Sequence, residues 1–102
     1  MLALRPNCEL CDRDLPPASP EARICTYECT FCADCVDTVL QDVCPNCGGG
    51  FSPRPVRPAT SRRPGVGLDH QPPSTTRVHT KYTREEIEAF AAAHRDVLPT
   101  QR

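Results

Sequence analysis

The chain has 102 residues, of which 38% are hydrophobic, with twelve prolines, no tryptophan, five aromatic residues and a formal net charge of −1. This excludes more than one small domain and makes a large apolar core unattainable, so disulfides, a metal or a partner must supply part of the folding energy. The eight cysteines are the obvious source.

The opening MLALRPNCEL has no charged start followed by an apolar run of signal-peptide length. No stretch approaches the roughly 18 apolar residues that a membrane span needs. A cytoplasmic protein without a membrane anchor is expected, and in a reducing compartment cysteines serve as metal ligands more often than as disulfides.

The cysteines fall in four close pairs: Cys8/Cys11, Cys25/Cys29, Cys32/Cys35 and Cys44/Cys47. Two thiolates separated by two or three residues can bind one ion from a tight turn, and two such pairs complete a tetrahedral four-sulfur site with Zn–S of about 2.3 Å. Two closed sites and two Zn2+ are therefore expected, with no open coordination position. Spacing alone leaves open whether the pairs share ions sequentially or interleave. Four thiolates also hold iron–sulfur clusters, but the usual ferredoxin spacings are absent. A redox dithiol would need a thioredoxin-like context that the sequence does not offer.

Between the ligands, DLPPASPEA (14–22) is too proline-rich to be helical throughout. After Cys35, Val36, Val39, Leu40 and Val43 recur at i, i+3, i+4 and i+7, which predicts a short amphipathic helix over about 33–42. Its apolar face should pack with Ile24, Tyr27 and Phe31. Gly48, just after Cys47, supplies the positive φ that a metal knuckle often needs.

The order C-x2-C…C-x3-C-x2-C-x2-C…C-x2-C resembles the RING finger in an all-cysteine version, with Phe31 before Cys32 and CPNC like the CPxC knuckle. That resemblance covers residues 8–47 and implies interleaving. Cys8, Cys11, Cys32 and Cys35 would hold one ion, and Cys25, Cys29, Cys44 and Cys47 the other. The implied fold is a small metal-stabilised α+β module, a RING-like set of zinc knuckles with one short helix. Over residues 1–55, LRPNCELCDRDLPP, CTFCADC and CPNCGG also resemble a family of small cysteine-rich bacterial proteins of unknown function. This implies a bacterial source and a zinc-binding fold but no activity.

The RING-like module is bounded at 1–55, and residues 56–82, rich in proline and arginine, read as a disordered or extended linker. Thr83 and Glu86 then form a capping box ahead of a stripe in which Ile87, Phe90, Ala91, His94, Val97 and Leu98 recur at helical spacing, which predicts a helix over about 84–97 inside an 83–98 segment. Residues 99–102 are a short tail. Such a helix is marginal alone, so it should dock on the module, bind a partner or self-associate. Charge divides as −5 over residues 1–50, +5 over 51–82 and −1 over 83–102. Two Zn2+ with eight thiolates would bring the module from −5 to near −9. This argues against nucleic acid as its ligand, and the basic linker should lie across the acidic module.

No Ser/His/Asp arrangement or phosphate-cradling loop is present, and His70, His79 and His94 lie outside the cysteine cluster. The expected function is a structural zinc module that presents a protein-binding surface without chemistry of its own. Leu10 on the first knuckle, and Ile87 and Phe90 on the terminal helix, are the candidate contacts for an unknown protein partner. The alternative is a ubiquitin-ligase-like RING that uses Leu10. The absence of tryptophan after Cys35 and the presence of Gly48 after Cys47 depart from that pattern.

Overall fold

A computed structural model describes residues 1–102. Strands β1 (Ala22–Ile24) and β2 (Thr30–Cys32) form an antiparallel hairpin with Ile24 opposite Thr30 and Ala22 opposite Cys32. The two-residue strand β3 (Ser52–Pro53) pairs antiparallel with the other side of β1, in the order β2-β1-β3. Pro53 sits on this edge, where a missing N–H costs the ladder least. Phe31 of β2 is fully buried and meets Phe51 edge-on, with ring centroids 5.5 Å apart.

Strand β2 runs straight into α1 (Ala33–Cys35), which widens into a π-helical turn over Val36–Leu40. The predicted apolar face is the buried one: Val36, Val39, Leu40 and Val43 all point inward. The helix ends at Leu40, because Gln41 and Asp42 both turn left-handed, with φ of 49° and 61°. Tyr27, expected in this core, is instead 73% exposed. It lies in the turn that closes the β1–β2 hairpin, where side chains face water. Residues 15–21 form no helix or strand.

Residues 56–82 also contain no helix or strand, as their prolines dictate, yet they follow a hydrogen-bonded path along the module. Arg57 donates to the Leu2 and Gln71 carbonyls, the Ser74 N–H to Ala3, and the Thr80 N–H to Glu9. Arg77 bridges Asp12 and Asp14 at 3.0 and 2.8 Å, so this arginine of the basic segment does lie on the acidic module. Composition removes helix and strand periodicity, but the backbone donors freed by that loss find acceptors in residues 1–9.

Helix α2 (Arg84–His94) starts on the predicted capping box. The Thr83 side chain accepts from the Glu86 N–H at 3.2 Å, and the Glu86 carboxylate accepts from the Thr83 N–H at 3.1 Å. It stops three residues short of the predicted end and is followed by a 3-10 turn, Pro99–Gln101. Ile87, 2% exposed, joins the same core as Phe31, Val36, Val39 and Leu40. Ile87 is therefore buried in the core of its own module, with Ala91 beside it. Phe90 is 36% exposed, its ring beside Gly48. No helix is long and apolar enough to cross a membrane.

Candidate metal centre

The sulfur atoms of Cys8, Cys11, Cys32 and Cys35 all lie within 4.8 Å of one another, and so do those of Cys25, Cys44 and Cys47. The two groups interleave along the chain: the first and third pairs meet, and Cys25 of the second pair meets the fourth. Four sulfurs about 2.3 Å from a tetrahedral ion stand about 3.8 Å apart, and the Cys11 and Cys32 sulfurs are 3.7 Å apart. All-sulfur donors at this spacing fit a closed tetrahedral metal site.

The local backbone explains why the first and last pairs make matching turns. In the first, the Cys8 N–H donates to Arg13 and the Asp12 N–H to the Cys8 carbonyl. In the second, the Cys44 N–H donates to Gly49 and the Gly48 N–H to the Cys44 carbonyl. The residue after each second cysteine is left-handed, Asp12 at φ 65° and Gly48 at φ 81°. Backbone N–H groups then point at sulfur: those of Leu10 and Cys11 at Cys8, of Arg13 at Cys11, of Asn46 and Cys47 at Cys44, and of Gly49 at Cys47 (3.4 Å). Such donors favour the thiolate, the form that binds metal.

Burial opposes them. It pushes the Cys8 thiol up despite its N–H donors, and it drives Cys35 and Cys44 far above the ordinary thiol range, helped by neighbouring cysteines. Burial raises Cys11 too, but the Arg13 N–H and contacts with Cys8, Cys32 and Cys35 outweigh it, and Cys11 falls below its usual value. The buried thiols of Cys8, Cys35 and Cys44 thus favour the protonated form, which a bound cation would displace.

Cys29, the expected fourth ligand of the second site, stands outside the three-sulfur group. It faces Cys25 across the hairpin end, where the Cys25 N–H donates to the Cys29 carbonyl at 3.2 Å. The Asn46 side chain, Cys25 and Arg5 are among the groups that act on the Cys29 thiol. Cys29 therefore flanks the second cluster and is not one of the sulfurs gathered in it.

Three polar residues that sequence reasoning passed over brace the centre. The buried Glu9 carboxylate accepts from the Thr30 N–H at 2.5 Å, Arg5 at 2.7 Å and Asn46 at 3.4 Å, tying β2 to both knuckles. The buried Asn7 side chain donates to the carbonyls of Cys8 and Val78 and accepts from the Val78 N–H, pairing the first knuckle with the segment 71 residues away. Arg54, 5% exposed, donates to the carbonyls of Arg5, Leu15 and Pro16. The only early signal was an acid and an amide set within a cysteine-rich apolar turn. Of the other candidates, Leu10 is half-buried against the core.

No solved structure matches the chain. It is 60% identical over 78 residues to an uncharacterized protein of Rhizobium meliloti (strain 1021), covering 76% of this chain and 86% of that protein. A family model described as a protein of unknown function (DUF1272) matches residues 1–57, a span that contains both thiol clusters. The chain belongs to this small cysteine-rich family, DUF1272.

Proposed function

We propose that the chain is a two-zinc, RING-like interaction module with no chemistry of its own. The interleaving of the thiol pairs, at sulfur spacings suited to tetrahedral zinc, carries the reading. Cys8, Cys11, Cys32 and Cys35 would hold one ion, and Cys25, Cys44 and Cys47, with Cys29 beside them, the other. Bound zinc would supply folding energy and neutralise thiolate charge, which suits a module with few buried apolar side chains. Thiolates committed to metal are not free nucleophiles, and the work of such a module lies in its surface. The knuckle bearing Leu10 is held rigid by its own hydrogen bonds, so a partner gripping it gives up little conformational entropy.

The reading is tested by metal content and partner capture together. Protein from zinc-supplied cells should carry two zinc ions per chain and no visible chromophore. Leu10→Ala should weaken capture of the partner while leaving the zinc content unchanged. One ion per chain or a brown iron–sulfur spectrum would contradict the metal assignment. Ubiquitin discharge from a charged conjugating enzyme, lost in Leu10→Ala, would contradict the absence of chemistry.

A further inference from the structure

Helix α2 lies in a groove between the two knuckles. Val36, Val39 and Leu40 form the floor, Leu10 of the first knuckle packs against the same core, and Gly48 of the second knuckle faces the Phe90 ring. Only Ile87 and Ala91 of its eleven residues are buried. The polar ties around it lie beyond its C-terminal end: Arg95 to Gln41 at 3.0 Å and Arg102 to the carbonyls of Asp42 and Gly48 at 2.8 and 3.1 Å. A cavity of about 390 Å3 remains between Pro45–Cys47 and the side chains of Tyr82, Ile87 and Phe90, so the helix does not fill its seat. The chain is pinned up to Thr80, whose N–H donates to Glu9 and whose hydroxyl donates to Asn46. A hinge at 81–82 would let α2 leave without disturbing residues 71–80.

The groove is fixed by the thiol clusters, whereas its helix buries only Ile87 and Ala91, with Tyr82 and Phe90 partly packed beside them, and is too short to persist alone. Elements with few buried contacts open while the rest of a protein stays folded. We infer that the groove between the knuckles is a receptor for amphipathic helices, that α2 is its resident ligand, and that a partner protein binds by presenting such a helix in α2's place. The chemistry of the occupant is that of α2 itself: a large aliphatic residue at the Ile87 position, a small one four residues later at Ala91, and an aromatic between them lying over Gly48. This inference rests on the interaction-module reading and names the partner's recognition element.

The test uses the full-length chain, wild type and Ile87→Asp, with a fluorescent peptide of residues 81–102 as the probe. The peptide should bind the variant on the order of tenfold or more tighter than the wild type, in which the resident helix competes for the groove. The same peptide carrying Ile87→Asp should bind neither. Both proteins should hold equal zinc. In the wild type, amide hydrogens of residues 84–94 should exchange well before those of Thr30–Cys32 and Val36–Leu40. A zinc-loaded variant that ignores the peptide would overturn the proposal. So would a variant that loses its metal, or exchange of α2 in step with β2, since either makes α2 part of the folding core. Self-association of the wild-type chain by exchange of α2 between copies would show that the groove accepts helices in trans and would support it. Zinc measured on the wild type judges the metal reading separately, because peptide binding is read without reference to it.

Discussion

Gly48 and Asp12 occupy the same step of two matching turns, each just after the second cysteine and each left-handed. A side chain in that conformation costs about 1–2 kcal/mol unless it is Asp or Asn, which explains how Asp12 is tolerated in the first knuckle. A Cβ on Gly48 would meet the Phe90 ring at an ordinary 3.7 Å, so the backbone rather than crowding sets the cost. Gly48→Val is expected to lower thermal stability by this amount or more and to weaken retention of the second ion, while Gly48→Asn should be nearly silent. Melting curves and zinc content of the two variants check this. Gly48 was legible in the sequence because glycine after a C-x2-C pair has one obvious use. Asp12 was not, since an aspartate there reads first as a surface charge. Arg54 was hidden for the opposite reason: it stands in an arginine-rich run yet is buried, and burial lowers its pKa. Arg54→Met would leave the carbonyls of Arg5, Leu15 and Pro16 without their donor, at a cost of about 1–3 kcal/mol. Chemical denaturation should show the loss.

Among the elements, α2 was read from its capping box and apolar spacing, and both are realised. Its end was misplaced because Val97 and Leu98 continue the apolar pattern but remain exposed, with nothing beneath them to reward another turn. Thr83→Ala is expected to remove about 1 kcal/mol of helix stability. The loss should appear as faster amide exchange over 84–94, with zinc content unchanged. The α1 region was legible in its buried face and not in its end, which depends on two successive left-handed residues, Gln41 and Asp42, that carry no glycine to announce them. Least legible was the path of residues 56–82. Pairings such as Asn7 with Val78, or Arg77 with Asp12 and Asp14, join residues more than sixty positions apart, and no periodicity encodes them. Arg77→Ala should change stability little, because the ion pairs are exposed, and the difference should vanish at high salt.

For the molecule as a whole, the stability of the proposed module turns on metal. Structural zinc in the two thiol clusters would contribute on the order of 10 kcal/mol or more, comparable to the entire stability of a small domain. Acid is expected to work against it in a definite order. Burial holds the thiols of Cys8, Cys35 and Cys44 above their ordinary range, so each bound ion expels protons, and falling pH returns them and releases the metal. Zinc affinity should therefore rise with pH, and calorimetry in buffers of different ionisation enthalpy should detect proton release on binding. Asp12 acts later. His79 and then Arg77 hold its carboxyl below the usual value, so its contribution is present above the carboxylate range and is lost only as pH falls through that lowered value. Zinc release followed with a chromogenic chelator should be complete before this carboxyl titrates. The most direct measurement of the central claim is the cadmium–proton coupling map of the full chain loaded with 113Cd. Two resonances are expected, one coupled to Cys8, Cys11, Cys32 and Cys35, the other to Cys25, Cys44 and Cys47. A single resonance, or one ion coupled to both Cys8 and Cys25, would contradict the interleaved two-metal module.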